Sequence, residues 1–148
     1  MKKQLHRAIA SFSFLLMLAA VSISAQAQTT ERARIPFDFS VGSKRLPAGD
    51  YVIKHASTSS SVLMVQNQNG HPASIILTVP SLQNSSPSER GRLVFNRYGD
   101  IYFLAQVWFS SKATGNQVPM SHQERALSRE LAKSNTKPEQ VSFLMHQK

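Results

Sequence analysis

Between Leu93 and Phe109 the chain is largely apolar on both phases of a two-residue alternation, with Gly99-Asp100 separating two extended runs. Alternation of period two is the mark of a strand, and a Gly-Asp pair between two such runs marks a hairpin turn. A two-residue turn there sets Tyr98 opposite Ile101, Arg97 opposite Tyr102 and Phe95 opposite Leu104. One face then carries Val94, Tyr98, Ile101, Phe103, Ala105 and Val107, and the other Leu93, Phe95, Tyr102, Leu104 and Trp108. Both faces are greasy, so the hairpin needs cover on both sides: a second sheet on one, a loop or helix on the other.

The rest of the pattern supplies that cover. Ile35, Phe37, Phe39 and Val41 alternate with polar or small residues, and Pro36, lacking a ladder donor, predicts an edge position for this strand. Gly42-Ser43 permits a reversal into Lys44-Arg45-Leu46, and Pro47 to Asp50 turns the chain into an extended run from Tyr51 to His55. The runs Val62–Gln66 and Ala73–Val79 flank Asn69-Gly70, which predicts a hairpin with Met64 facing Ile75 and Val62 facing Leu77, and Leu63 and Ile76 on the opposite face. Ser81 to Glu89 reads as a solvated loop; Asn84-Ser85-Ser86 within it matches a glycosylation sequon, but a polar loop is the better account of it. Ser121-His122-Gln123-Glu124 fits a capping box that opens a helix from His122 to Lys133, with Leu127 and Leu131 on one stripe and Arg125, Arg129 and Lys133 roughly opposite. Val141 to Met145 is a candidate last strand. The expected fold is all-β, an antiparallel sandwich or partly open barrel of about six to eight strands with one short C-terminal helix.

The N-terminus reads differently. Lys2, Lys3 and Arg7 precede an apolar run from Ala8 to Ile23, and Ala25-Gln26-Ala27 puts small residues where a signal peptidase requires them. The run is shorter than the roughly 20 strongly apolar residues that span a bilayer. A leader over residues 1–27, cleaved after Ala27, leaves one β-rich domain over 28–148, with a periplasmic or extracellular location and no transmembrane span after processing. The chain has no cysteine, which removes lipoprotein anchoring, thiol catalysis and thiolate metal sites.

Two stretches, IPFDFSVGSKRLPAGDY (Ile35 to Tyr51) and LVFNRYGDIYFLAQVW (Leu93 to Trp108), followed by SHQERALSRELA, resemble a family of small exported β-rich proteins of soil bacteria. The likeness runs over nearly the whole chain after the leader, along the patterns IPFxFxVGxKxLPAGxY and LVFxRYGDxYFLxxVW. It implies a leader and a β-rich domain; no activity, cofactor or catalytic residue comes with it.

Charge bears on partners. Without Lys2, Lys3 and Arg7 the chain's 17 Lys and Arg become 14 against 8 acids, a net +6. Export argues against nucleic acid, leaving an anionic envelope polymer, a carbohydrate or lipid head groups as partners, with Arg125, Arg129 and Lys133 as a candidate contact stripe. Solubilising charge explains the same residues without any partner. The histidines at 55, 71, 122 and 146 have no metal-ligand spacing, the acids suit turns and a cap, and nucleophile and phosphate-loop motifs are missing, so no metal, cofactor or catalytic residue is assigned. Arg97, Tyr102, Gln106 and Trp108 are the candidates for a ligand site, by stacking, cation–π contact and an amide in an apolar run; plain core is the alternative for the aromatics. The leading expectation is a non-catalytic binding or structural protein. Its rivals are a barrel around a small apolar ligand and a hydrolase assembled from separate strands.

Overall fold

The computed structural model describes residues 29–147 except 57–60, 85, 87, 135 and 136. The expected leader and cleavage site, and Ser85 of the sequon match, lie outside the described residues. The strands are β1 (Thr30–Ile35), β2 (Phe39–Val41), β3 (Lys44–Leu46), β4 (Gly49–His55), β5 (Val62–Asn67), β6 (Pro72–Leu77), β7 (Val79–Gln83), β8 (Arg92–Tyr98), β9 (Ile101–Trp108), β10 (Thr114–Gln117), β11 (Glu139–Leu144) and β12 (His146–Gln147), with one helix, α1 (His122–Lys133), before β11. They form two sheets. Sheet I runs β12-β1-β4-β5-β6, and sheet II runs β11-β8-β9-β10-β7, with β2 laid parallel to β9 and β3 paired to β2. The sheets do not close into a barrel, in keeping with the expected all-β sandwich or partly open barrel.

The core lies between them. Ile35, Ile53, Leu63 and Val65 of sheet I meet Phe39, Leu93, Phe95, Leu104 and Val107 of sheet II, all but sealed from water. At roughly 1.5 to 3 kcal/mol per buried large side chain, this layer is the main source of stability. Phe95 receives the edges of Phe37 and Phe39, at ring separations of 5.4 and 5.5 Å.

The β8–β9 hairpin is central in sheet II and pairs Tyr98 with Ile101, Arg97 with Tyr102 and Phe95 with Leu104, the register its Gly-Asp turn predicts. Beyond Phe95 the register shifts: Val94 pairs with Gln106, so Ala105 is an extra residue in β9. Such a bulge inverts the alternation. Val107 therefore joins the core and Trp108 the outer face, the reverse of strict alternation. On that outer face sits α1. Ser121 Oγ accepts from the Glu124 amide at 3.1 Å, and the Glu124 carboxyl reaches back to Ser121, completing the capping box. Glu124 is itself buried, its Oε1 accepting from Asn96 Nδ2 (2.8 Å) and the Tyr98 hydroxyl (3.5 Å), which docks the helix on β8.

Twelve strands among the described residues exceed the expected number: two extended runs cross between sheets and so each form two strands, and β10 and β12 are strands that the sequence pattern leaves unmarked. The alternating run from Ile35 breaks at residues 36–38, with β1 in sheet I and β2 in sheet II; β1 lies between β12 and β4, and Pro36 follows its last paired residue instead of marking an edge. The second crossing is at Thr78, whose amide donates to Ser61 O (2.7 Å) and whose Oγ1 accepts from Asn116 Nδ2 (3.0 Å). The chain then continues as β7 against β10, where the sequence pattern suggested only a loop. A buried carboxyl ties the ends together: Glu31 Oε1 accepts the Ser110 amide at 2.6 Å, linking β1 to the turn after β9.

Candidate functional site

In β1 the alternation sends Glu31, Ala33 and Ile35 into the core and Arg32 and Arg34 to the outer face of sheet I. Register then builds rows across the strands. Arg32 lies between His146 of β12 and Val52 of β4, Arg34 opposite Asp50, and Lys54 between Thr30 and Met64. The cations thus share one face. A hollow of about 380 Å³ opens there, bounded by Arg32, Arg34, Asp50, Val52, Gln68 and His146. The ion pairs among the described residues, Arg45–Asp38, Arg97–Glu139 and Lys133–Glu130, involve none of Arg32, Arg34 and Lys54.

The same face turns apolar toward β6. Val62 pairs with Leu77 and Met64 with Ile75, as the Asn69-Gly70 turn predicts, while Leu63 and Ile76 point to the core. The four-residue apolar face of this hairpin is therefore the outer one. Ile75 and Leu77 are 58% and 72% exposed, and Val79, two residues on past the corner, is 53% exposed.

The residues singled out by sequence fall elsewhere, and on two different faces. Arg97 and Tyr102 stand opposite each other, the guanidinium 5.6 Å from the ring centre. Their groups are engaged within the protein: Arg97 donates to Gly99 O (2.7 Å) and Glu139 Oε2 (3.3 Å), and Tyr102 stacks on Phe37 at 3.8 Å. Gln106 and Trp108 occupy the outer face of sheet II, where Trp108 Nε1 donates to Gln106 Oε1 (3.0 Å) and Arg92 lies 4.9 Å from the indole centre. The oddity of an amide in an apolar run is thus resolved by the adjacent indole. The structure joins these four as two pairs and does not bring the pairs together. On α1, Arg125, Arg129 and Lys133 are exposed, with Lys133 bonded to Glu130 at 2.8 Å.

The titratable groups have separate settings. Asp38 accepts from Ala48 N, Glu139 pairs with Arg97 and Glu124 sits under the helix. His55 packs against Phe109 with ring centres 4.6 Å apart, and burial, aided by nearby Lys112, lowers its pKa. Among the described residues no group of three or more His, Asp and Glu is placed to hold a metal ion.

Arg32, Arg34 and Lys54 form no cluster along the chain, so local charge density does not single them out. Their signal was present: two arginines at alternate positions, out of phase with Ala33 and Ile35. No family model, curated protein or solved structure matches this chain.

Proposed function

We propose that the chain is an exported, non-catalytic binding protein that holds an anionic component of the cell envelope against the outer face of sheet I. The observation carrying this reading is the set of Arg32, Arg34 and Lys54 on one face, outside the ion pairs of the described residues, with His146 beside Arg32. Support for export comes from the basic, apolar and small-residue segments ahead of Gln28, and the net positive charge favours an anionic partner at long range. A flat antiparallel face with basic side chains recognises a field of negative charge and has no need of a reacting group. The helix stripe of Arg125, Arg129 and Lys133 is the competing surface, and its own Glu130 partly neutralises it.

Retention of the purified protein on vesicles containing phosphatidylglycerol, at rising salt, tests the reading. Each cation held near an anionic surface contributes about 1 kcal/mol. The Arg32→Gln/Arg34→Gln protein should then bind roughly 30-fold more weakly at low salt, with a shallower salt dependence. Unchanged binding by that variant, or loss confined to Arg129→Gln/Lys133→Gln, would overturn the assignment of this face.

A further inference from the structure

The cations account for half of the outer face of sheet I; the apolar half has no role in holding charge. Single exposed apolar residues are ordinary, but here Ile75 and Leu77 are joined through the register to Met64 and Val62, and Val79 lies just across the corner at Thr78, at the start of β7 in sheet II. Ile75 and Leu77 stand on β6, which ends sheet I and pairs on one side only among the described residues. Edge strands normally carry charge or are covered, because a bare apolar edge invites association. On its far side the ridge borders a groove of about 650 Å³ lined by Lys44, Val118 and Pro119 as well as Ile75 and Leu77.

We infer that the anionic partner is a lipid surface, and that Met64, Ile75, Leu77 and Val79 enter its apolar layer while Arg32, Arg34 and Lys54 hold its phosphates. The inference rests on the reading that this face binds an anionic component, and it names the component. Its warrant is one row of side chains: Lys54, Met64 and Ile75 are paired in sequence across β4, β5 and β6. Strands lie about 4.8 Å apart, so cation and ridge are separated by roughly 10 Å. With the β6 edge directed into the bilayer this spacing becomes depth, of the same order as the roughly 5–10 Å to which an amphipathic surface element buries its apolar face. A soluble polyanion would engage the cations and leave the ridge in water. A second copy on the ridge would bring two cationic faces of a net-positive protein together, which like charge disfavours.

Three binding measurements on the purified protein separate these cases: vesicles of phosphatidylglycerol and phosphatidylcholine in equal parts, vesicles of phosphatidylcholine alone, and inorganic polyphosphate. The Ile75→Ser/Leu77→Ser protein should keep its affinity for polyphosphate and lose about tenfold or more on the mixed vesicles. Circular dichroism checks its fold, which these exposed sites should leave unchanged. In a Leu77→Trp variant the new indole should be quenched by acyl chains brominated near the glycerol, whereas Trp108, nearly buried in sheet II, gives a steady background. Wild-type vesicle binding by the serine variant, with no quenching at position 77, would overturn the lipid inference while leaving the charged-face reading intact. A wild-type dimer that the serine variant converts to monomer, with vesicle binding unchanged, would overturn it in favour of a second copy. Failure of the wild type on both mixed vesicles and polyphosphate would remove the charged-face reading, and this inference with it.

Discussion

Gly91 is the position where one methyl group should matter most. It precedes β8 and packs against the Glu31 carboxyl; a Cβ built there would lie 1.7 Å from Glu31 Oε2, 2.7 Å from its Cδ and 2.8 Å from the Trp108 carbonyl oxygen. The first two belong to a fully buried side chain and the third to backbone, so none can move aside freely. Overpacking a core by a methyl group costs about 1–3 kcal/mol. Displacing the carboxyl also breaks its 2.6 Å bond from the Ser110 amide, about 1–3 kcal/mol for such a bond. Gly91→Ala should then lose about 2–6 kcal/mol, a large part of the 5–15 kcal/mol typical of a domain. Urea unfolding of the purified protein measures it. The mechanism is tested by repeating the substitution in Glu31→Ala, where the main obstacle is gone and the cost should drop to about 1 kcal/mol, left by the Trp108 carbonyl. Equal losses in both backgrounds, or a Gly91→Ala protein as stable as wild type, would show that the carboxyl is not what excludes a side chain there.

Other predictions follow from the same geometry. Burial raises the pKa of Glu124 above its ordinary 4.5, against the opposing bonds from Asn96, Tyr98 and Ser121. The native state therefore holds this proton more tightly than the unfolded chain, so the associated stability is full below about pH 4.5 and is lost as pH rises through the native value. Glu124→Gln keeps an acceptor for Asn96 and Tyr98, and its melting temperature relative to wild type should climb with pH; a constant difference between about pH 4 and pH 8 contradicts the assignment. His55 acts in the opposite sense. Its lowered pKa gives stability that is present above about 6.5 and lost as pH falls through the native value, so His55→Phe should narrow the acid loss seen in wild-type melts. N-terminal sequencing of protein recovered outside the cytoplasm should begin at Gln28; an intact Met1 there removes the leader reading.

What could be read ahead of the structure was whatever depended on local pattern. Gly99-Asp100 and Asn69-Gly70 each set a register that the hairpins adopt, and the capping box placed both the start of α1 and the bond from Glu124 to Ser121. What could not be read depended on distant partners. The bulge at Ala105, which moves Trp108 out of the core, leaves no mark in an apolar run where either phase is acceptable. β10 and β7 are short and lack a sustained apolar alternation, and they become strands by pairing, β7 with β10 and β10 with β9. Nothing local to Glu31 announces that Ser110, far along the chain, will meet it. The candidate surface was half legible: the alternation of Arg32 and Arg34 was visible, but only the sheet order brings β1, β4, β5 and β6 together with all their outward residues on one side.

The chain has no cysteine, so a single environment-sensitive fluorophore can be attached at any chosen position. Placed at Ile75→Cys on the ridge and, separately, at Arg129→Cys on α1, it reports which face meets an anionic bilayer. The account predicts a blue-shifted emission at position 75 on vesicles containing phosphatidylglycerol, reversed by salt, and none at position 129. A shift at 129 with none at 75 would contradict it.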